Sequence, residues 1–232
     1  MNMLKNIVKR TIPNSIIRQK LDVENCILFT FDDGPHPNIT IKVLDVLDRY
    51  GAKGIFFISS SRIIRAPGIL NEILNRNHGI GNHGASHTPA SKMSYNEIVN
   101  EIITSRDEIF SNCGIRTEYF RPPCGIITTS LLRASWHTKH KIIRWSLSTG
   151  EYSYMKDATF NNLSNNFFNK LHDKAIVACH DDIDVIPRFL EIALPRLVDL
   201  GYDLSSGLYS TMPSSVSVSH TKGCDKTEPF AK

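Results

Sequence analysis

Apolar segments rich in strand-forming residues alternate with amphipathic segments of helical periodicity along most of this chain. The strand-forming runs predict buried β-strands at 26–29, 54–58, 80–82, 119–121, 141–147 and 175–179. Between them, apolar residues recur at helical spacing and predict helices at 39–50, 67–77, 95–110, 129–138, 157–171 and 187–200. This order favours a parallel sheet covered by helices, and the number of repeats favours closure of that sheet into an α/β barrel.

The composition fits one domain with a single sizeable core. Apolar residues make up 41% of the 232 residues, enough for such a core. No run approaches the ~18 consecutive apolar residues that a transmembrane helix needs. The net charge of +4 is spread along the chain. Because it forms no basic stripe with aromatic residues, we expect no nucleic-acid partner.

The cysteines and the first residues predict a cytoplasmic protein. The five cysteines form neither a Cys-x-x-Cys pair nor a disulfide framework. Residues 1–10 mix basic and apolar side chains and lack the continuous apolar stretch of a secretory signal. Free thiols and the absence of such a signal are typical of a reducing cytoplasm.

The patterns divide the chain into three regions: an N-terminal segment at 1–24, an α/β domain at 25–205 and a tail at 206–232. The N-terminal segment is basic and amphipathic, with a break at Pro13. Two interpretations are open for it: peripheral contact with a membrane surface, or a helix that covers the bottom of the barrel, which we prefer. The tail is rich in serine and small residues, and we expect it to be partly disordered.

Two acids end the first predicted strand, in the run Thr-Phe-Asp-Asp-Gly-Pro at 30–35. Adjacent carboxylates at the exit of a buried strand must be paired, solvated or bound to a cation. The turn at Gly34 and Pro35 breaks the strand alternation, so that Asp32 and Asp33 can reach the same cavity. A solvated turn capped by Asp33 is the alternative that this motif alone leaves open.

Two histidines follow the third predicted strand at a spacing that suits metal ligation. His83 and His87 are four residues apart, and on one turn of helix-like chain they project to the same side. Asp33 is available as an oxygen ligand from the first strand end. Two histidines, one carboxylate and an open fourth position are typical of a hydrolytic zinc site.

Further strand ends carry an arginine and a histidine. Arg121 leaves the fourth strand immediately before two prolines, and a buried arginine there needs a carboxylate partner, for which Asp32 is the candidate. His180 ends the strand at 175–179, and the run from Trp145 to Glu151 marks another strand end. A lone histidine at a strand end is usually structural. Here several strand ends carry reactive side chains, and their accumulation indicates a functional site.

The three motifs Thr-Phe-Asp-Asp-Gly-Pro, His-x-x-Ser-His and Arg-Pro-Pro-x-Gly, in this order, resemble the polysaccharide deacetylases of carbohydrate esterase family 4, which share the NodB homology domain. The resemblance extends over residues 26–204 and implies a distorted (β/α) barrel of seven strands. It also implies metal-dependent hydrolysis of an N-acetyl group, with release of acetate and a free sugar amine. Asp33, His83 and His87 would hold Zn²⁺, or Co²⁺ or another divalent ion.

The same resemblance implies roles for the other residues of the site. Asp32 would accept the proton of the attacking water, and Arg121 would orient Asp32 and hold it ionised. The backbone N–H of Cys124 would bind the oxyanion, and His180 would protonate the departing amine. The position of Ala178, two residues before His180, would line the acyl pocket.

Four positions depart from the family pattern. Ser148 stands where the family commonly has the aspartate that supports the acid histidine, and Asp181 or Asp182 is the candidate substitute. Ala178 replaces a leucine, so that either the acetyl group is held from elsewhere or the pocket accepts a larger acyl group. Cys124 replaces an aromatic residue. Gly84 replaces a serine or threonine, and this change predicts looser hydrogen bonding in the loop that contains it.

The leading hypothesis is a cytoplasmic N-deacetylase of an N-acetylated saccharide. Its substrate would be a chito-oligosaccharide or a sugar intermediate of surface polysaccharide synthesis. Two alternatives remain open. One is a catalytically impaired relative that binds saccharide, and the other is a deacylase of a non-acetyl or non-sugar amide.

Overall fold

The computed structural model describes residues 17–151 and 160–212. Its centre is a single sheet of eight strands in which all neighbouring strands run parallel. The strands are β1 (Ile17–Arg18), β2 (Ile27–Asp32), β3 (Gly54–Ile58), β4 (Gly79–Asn82), β5 (Tyr119–Phe120), β6 (Lys141–Ile143), β7 (Leu147–Ser148) and β8 (Ala175–His180). Their order across the sheet is β1-β6-β5-β4-β3-β2-β8-β7.

Seven α-helices lie in the described ranges 17–151 and 160–212: α1 (Ile39–Arg49), α2 (Ile69–Asn75), α3 (Tyr95–Cys113), α4 (Thr129–His137), α5 (Phe160–Lys170), α6 (Val185–Asp199) and α7 (Ser206–Thr211). The predicted start of α5 at Asp157 lies outside the described residues. Helix α3 begins with a capping box between Ser94 and Glu97, as its sequence indicates. Of the helices just named, none has the length and apolarity needed to cross a membrane.

Strand alternation separates an outer core from an inner one. In β2, Phe29 and Phe31 belong to the apolar cluster that packs against helices such as α1 and α6, whereas Leu28 belongs to the inner cluster. Since side chains alternate along a strand, Thr30 and Asp32 face the same side as Leu28. All eight strands are parallel, so their carboxyl ends lie along one rim of the sheet.

The distorted (β/α) barrel predicted from the sequence is confirmed. Strands β1 and β7 form the edges of the sheet, and within the described part of the chain no ladder pairs these two strands. An isolated antiparallel bridge joins Lys20, just after β1, to Ala175 at the start of β8. The sheet therefore curls without closing. The predicted strand at 141–147 divides into β6 and β7, and β1 is a strand that the sequence pattern did not predict.

The folded domain extends beyond both predicted boundaries. At the amino-terminal side, Ile17 pairs with Ile142 and Leu21 is buried, so residues 17–24 belong to the domain. At the other side, residues 206–211 form α7, in which Leu208 is fully buried. The predicted disordered tail is therefore wrong for residues 206–212. Residues 1–16 and 213–232, on which the rest of these two predictions falls, lie outside the described residues.

Helix α7 covers the amino-terminal end of the curled sheet. Leu208 and Met212 pack with Leu28 in the inner cluster. Gly79 makes room for them, because a Cβ there would lie 2.8 Å from both the Leu208 and the Met212 side chains. The sequence predicted a cover at this end from the N-terminal segment, but among the described residues α7 has this role.

Candidate active site

Both acids of the first motif lie buried at the carboxyl end of β2. Asp32 is the last residue of the strand and pairs in register with His180 of β8. Asp33 follows with a left-handed φ of 68°, which interrupts the alternation, as expected from the Gly34–Pro35 turn. Asp32 is 4% exposed and Asp33 is 6% exposed, so the alternative of a solvated turn is wrong.

Asp33, His83 and His87 form a compact group of potential metal ligands. One carboxylate oxygen of Asp33 lies 2.9 Å from Nε2 of His87 and 3.5 Å from Nε2 of His83. All three ligand atoms lie within 4.8 Å of one another. His83 directly follows β4, and the loop after it carries His87. The ends of β2 and β4, which lie on either side of β3, therefore supply the group.

The protonation states of Asp33 and His83 suit a divalent cation. Nδ1 of His83 lies 2.8 Å from the carbonyl oxygen of Arg121. Because a carbonyl can only accept, Nδ1 carries the proton and the lone pair of Nε2 faces Asp33. Burial lowers the pKa of His83 and so favours this neutral ring. Burial acts to raise the pKa of Asp33, but the hydrogen bond from His87 and the nearby histidines hold it well below its usual range.

The residues present therefore fit a metal ion of the zinc type. Two imidazole nitrogens and one carboxylate oxygen are the ligand types that zinc takes in hydrolytic sites, with one position left for water or substrate. The hydrogen bond from His83 to the Arg121 carbonyl is the kind of outer contact that orients a ligating histidine.

The loop between the two histidines is held more firmly than its sequence suggests. Gly84 has φ +86°, and its N–H donates to the side chain of Asn82 at 2.8 Å. The carboxylate of Glu101 on α3 accepts from the backbone N–H groups of Ala85 at 2.7 Å and Ser86 at 3.0 Å. The predicted loosening by Gly84 is therefore wrong, because backbone groups and Glu101 supply the hydrogen bonds.

Arg121 is fully buried and anchors the inner face of the site. One guanidinium nitrogen donates to Asp32 at 2.8 Å and to the Thr30 hydroxyl at 2.7 Å. The guanidinium lies 4.2 Å from the centre of the Phe57 ring. The predicted pair of Arg121 with Asp32 is thus present, and it fixes the direction of the Asp32 carboxylate.

The chain leaves Arg121 through a tight turn at Pro123–Gly125. Cys124 has a left-handed φ of 59°, and its side chain is exposed. A Cβ on Gly125 would lie 2.6 Å from the Trp145 ring, so only glycine allows this approach. The turn thus places the backbone of Cys124, the predicted oxyanion donor, at the same rim as Arg121.

Strand β8 brings Ala178 and His180 to the interior. Ile176 belongs to the inner cluster, and Ala178 and His180 lie two and four residues further on the same face. Ala178 is 3% exposed and pairs in register with Ser148 on β7. Cys179 packs in the outer cluster, and burial raises the pKa of its thiol well above the ordinary value, which makes it unreactive.

The carboxylate that contacts His180 belongs to Glu151, a residue to which the sequence assigned no role. Oε1 of Glu151 lies 2.7 Å from Nδ1 of His180, and Glu151 is fully buried. Burial favours the neutral imidazole, but the hydrogen bond to Glu151 and the charge of Asp32 raise the pKa of His180 to about 9. The sequence shows an acid three residues after Ser148, at the same strand end, but no pattern in the sequence pairs it with His180.

The predicted substitutes for the missing aspartate have other partners. The Thr40 hydroxyl donates to Asp181, whose carboxyl group packs against Gly34. Asp182 forms an ion pair with Arg62 at 2.6 Å. The prediction that Asp181 or Asp182 supports His180 is therefore corrected in favour of Glu151.

Comparison with known proteins gives one family and a set of relatives. The family model described as polysaccharide deacetylase matches residues 20–142, just over half of the chain. The peptidoglycan-N-acetylglucosamine deacetylase PgdA of Listeria monocytogenes is 28% identical over 205 residues, which cover 87% of this chain and 43% of PgdA. The chain therefore spans less than half the length of this relative.

Solved structures share the fold. The crystal structure of the Bc1960 peptidoglycan N-acetylglucosamine deacetylase superposes with a TM-score of 0.77 at 23% identity, covering 88% of this chain and 95% of that one. BA3943 of Bacillus anthracis, described as a pseudoenzyme of carbohydrate esterase family 4, has a TM-score of 0.75 at 18% identity and covers 82% of this chain and 67% of its own. At these identities the likeness establishes the fold alone.

Proposed function

Because the chain belongs to the polysaccharide deacetylase family, we propose that it is a metal-dependent hydrolase that removes N-acetyl groups from an N-acetylated saccharide and releases acetate. The observation that carries this proposal is the convergence of two acids, two histidines and Arg121 on the rim where β2, β4 and β5 end. His180 completes the set from β8, directly beside Asp32.

Asp33, His83 and His87 are the residues that would hold the metal ion. A divalent cation, with Zn²⁺ as the first choice, would supply Lewis-acid polarisation of the amide carbonyl and acidify the attacking water. The hydrogen bond of His83 to the Arg121 carbonyl keeps Nε2 available as a ligand atom. The protein thus orients Nε2 of His83 for metal binding before any ion binds.

The remaining residues divide the proton transfers between them. Asp32, oriented by Arg121, accepts the proton of the attacking water. The backbone N–H of Cys124 stabilises the developing oxyanion. His180 donates a proton to the departing sugar amine, and its pKa of about 9 keeps it protonated at neutral pH. Asp32 would thus act as the base and His180 as the acid of the hydrolysis.

The substrate class is proposed from the relatives. PgdA of Listeria monocytogenes is named for deacetylation of peptidoglycan N-acetylglucosamine, and PdaC of Bacillus subtilis is named for N-acetylmuramic acid. We therefore place β-linked N-acetylated amino sugars, as in peptidoglycan or chito-oligosaccharides, first among the substrates. The cytoplasmic location remains a prediction, and contact with a membrane remains the less favoured of the two interpretations of the N-terminal segment.

The test is acetate release from chitotetraose and from peptidoglycan fragments, measured on chelator-treated protein before and after addition of Zn²⁺ or Co²⁺. We expect release only with metal. A formylated sugar and a non-sugar acetamide, assayed in parallel, test the alternative substrate classes. Stoichiometric metal binding without hydrolysis of any of these amides would overturn the proposed activity in favour of a saccharide-binding role.

A further inference from the structure

Arg144, which directly follows β6, is a half-buried arginine without a carboxylate partner in the described ranges. A guanidinium taken out of water normally needs such a partner to offset its lost hydration. Within residues 17–151 and 160–212, six arginines are buried or half-buried, and the other five each form an ion pair with an aspartate: Arg18, Arg62, Arg76, Arg106 and Arg121. Arg144 is therefore the exception that needs an explanation.

The surroundings of Arg144 disfavour its charge. Its Nε atom is buried and has no hydrogen-bond partner in the part of the chain that the structure describes. Burial and the positive charge of Arg121 both lower the pKa of Arg144, yet an arginine stays protonated at neutral pH. Its guanidinium lies over the Trp145 ring, 5.9 Å from the ring centre. A negative group supplied by a ligand would offset this cost.

The position of Arg144 is next to the proposed catalytic residues. Its carbonyl oxygen accepts a hydrogen bond at 3.3 Å from Arg121, the residue whose guanidinium also donates to Asp32 at 2.8 Å. The neighbouring Trp145 ring lies 5.5 Å from the Arg121 guanidinium and packs against Gly125, in the turn that carries Cys124. A substrate group that binds Arg144 would therefore lie on the side of the site where the Cys124 turn is.

We infer that Arg144 binds a carboxylate of the substrate, so that the site favours an acidic N-acetylated glycan over a neutral one. A carboxylate suits this place because its two oxygens match the planar fork of a guanidinium. In a peptidoglycan strand the carboxylate comes from the lactyl ether of N-acetylmuramic acid or from a stem peptide, whereas a chito-oligosaccharide has none. The inference rests on the proposed function and deepens it by naming the charge of the substrate.

The experiment measures acetate release by the metal-loaded full chain from three glycans. Chitotetraose carries no carboxylate, a peptide-free peptidoglycan tetrasaccharide carries free lactyl carboxylates, and the peptide-bearing tetrasaccharide carries carboxylates only in its stem peptides. We expect Arg144→Gln to lower kcat/KM for an acidic glycan roughly 10- to 100-fold, mainly through KM, as for a lost charge-assisted hydrogen bond. For chitotetraose we expect no change. The acidic glycan that is affected identifies the source of the carboxylate.

Two further variants separate recognition from general effects of charge and structure. Arg144→Lys keeps the charge but not the planar fork, and we expect an intermediate loss for the acidic glycan. Arg133→Gln removes the same charge from an exposed position on α4 and should leave all three values of kcat/KM unchanged. An equal loss for chitotetraose and the acidic glycans in Arg144→Gln, or no loss for any of them, would overturn the inference.

A binding measurement distinguishes failure of this inference from failure of the proposed activity. Calorimetric titration of the metal-free protein with chitotetraose and with the two acidic glycans needs no turnover. If no amide is hydrolysed but Arg144→Gln weakens binding of an acidic glycan alone, the proposed activity fails and the recognition stands. If acetate is released but Arg144→Gln binds every glycan as the wild type does, the recognition fails and the activity stands. Should Arg144→Gln not fold, the same comparison with Arg144→Lys decides.

Discussion

At the scale of single residues, the site depends on the left-handed backbone of Asp33, directly after β2, and on the buried guanidinium of Arg121. The left-handed φ of 68° at Asp33 allows two successive acids to serve one cavity, Asp32 toward Arg121 and Asp33 toward the histidines. The guanidinium of Arg121 is fully buried, where it contacts the Asp32 carboxylate and the Phe57 ring. These constraints explain why neighbouring acids can have different tasks.

The first prediction concerns the acyl pocket at Ala178. Its methyl side chain faces the same side as His180 and leaves about three carbons less of wall than leucine would, or roughly 2 kcal/mol of apolar contact. We expect the wild type to hydrolyse an N-propionyl saccharide faster than the N-acetyl one, and Ala178→Leu to reverse this order. Measurement of kcat/KM for both substrates tests it, and a propionyl substrate hydrolysed no better than the acetyl one by the wild type would contradict it.

Much of the site at this scale was predictable from the sequence. Each of these residues lies at the end of a strand or in the segment that follows it, and in a parallel sheet the strand ends share one rim. They are Asp32, Asp33, His83, His87, Arg121 and His180. Glu151 was not predictable as the partner of His180, because its reach depends on the turn at Gly150 and on the hydrogen bond from Thr149. Asp181 is adjacent to His180 in sequence, but it lies in the turn after β8 and accepts a hydrogen bond from Thr40.

At the scale of elements, helix α3 holds the metal-ligand loop. Glu101 accepts two backbone N–H groups of that loop, and the side chain of Asn82 donates to the Ile102 carbonyl at 2.8 Å. The loop that carries His87 is thus fastened to one turn of α3. This arrangement couples the position of the candidate metal ligand His87 to a helix outside the barrel.

The second prediction is that Glu101→Ala weakens metal binding without touching a ligand. With the Ala85 and Ser86 N–H groups left without their acceptor, His87 loses its fixed position, and we expect the Kd for Zn²⁺ to rise on the order of 10-fold. Competition with a chromogenic chelator measures this Kd. Glu108→Ala, at an exposed position on the same helix, is the control, and equal Kd values for the two variants would refute the coupling.

The third prediction follows from His78, which joins β3 to β4. Nδ1 of His78 accepts from the Gly54 N–H at 3.1 Å. Burial, with the charge of Lys53, lowers the pKa of His78 from 6.5 to about 4. The unfolded chain therefore binds a proton at His78 more tightly than the folded protein does. The contribution of neutral His78 to stability is complete above about pH 6.5 and is lost as the pH falls toward 4.

Urea unfolding at pH 7.5 and pH 5 tests this dependence. From the lowered pKa, His78 should reduce the free energy of unfolding by on the order of 2 kcal/mol at pH 5. His78→Asn retains an acceptor but does not titrate. The decrease in its free energy of unfolding from pH 7.5 to pH 5 should therefore be smaller than that of the wild type by this amount. The exposed His137→Asn is the control. A loss in His78→Asn as large as in the wild type would show that His78 is not responsible.

At the scale of the whole molecule, the inner core is completed by a helix that the sequence did not indicate. The run Ser206–Thr211 has weak helix formers and was predicted to be a tail, but Leu208 and Met212 are buried against the inner strands. Tertiary burial outweighs local propensity here. The barrel itself was predictable, because the six predicted apolar runs account for seven of its eight strands, whereas β1 lies in the basic N-terminal segment that the sequence separated from the domain.

The fourth prediction is that α7 contributes substantially to stability. Leu208 is fully buried, so Leu208→Ala should lower the free energy of unfolding by about 2 to 5 kcal/mol through lost contact and a residual cavity. Tyr209→Ala, on the exposed side of α7, should have a small effect. Thermal or urea unfolding compares the two variants. A similar small effect of both would mean that α7 is not part of the folded core.

The most direct test of the proposed mechanism is acetate release by zinc-loaded wild type and Asp32→Asn, with bound metal measured on the same samples. Asp32 contacts Arg121 and is not among the three metal ligands, so we expect both proteins to bind one equivalent of Zn²⁺. Release by Asp32→Asn should be slower by at least roughly 100-fold, as for loss of a general base. Release by Asp32→Asn at the wild-type rate, or by metal-free wild type, would contradict the proposed mechanism.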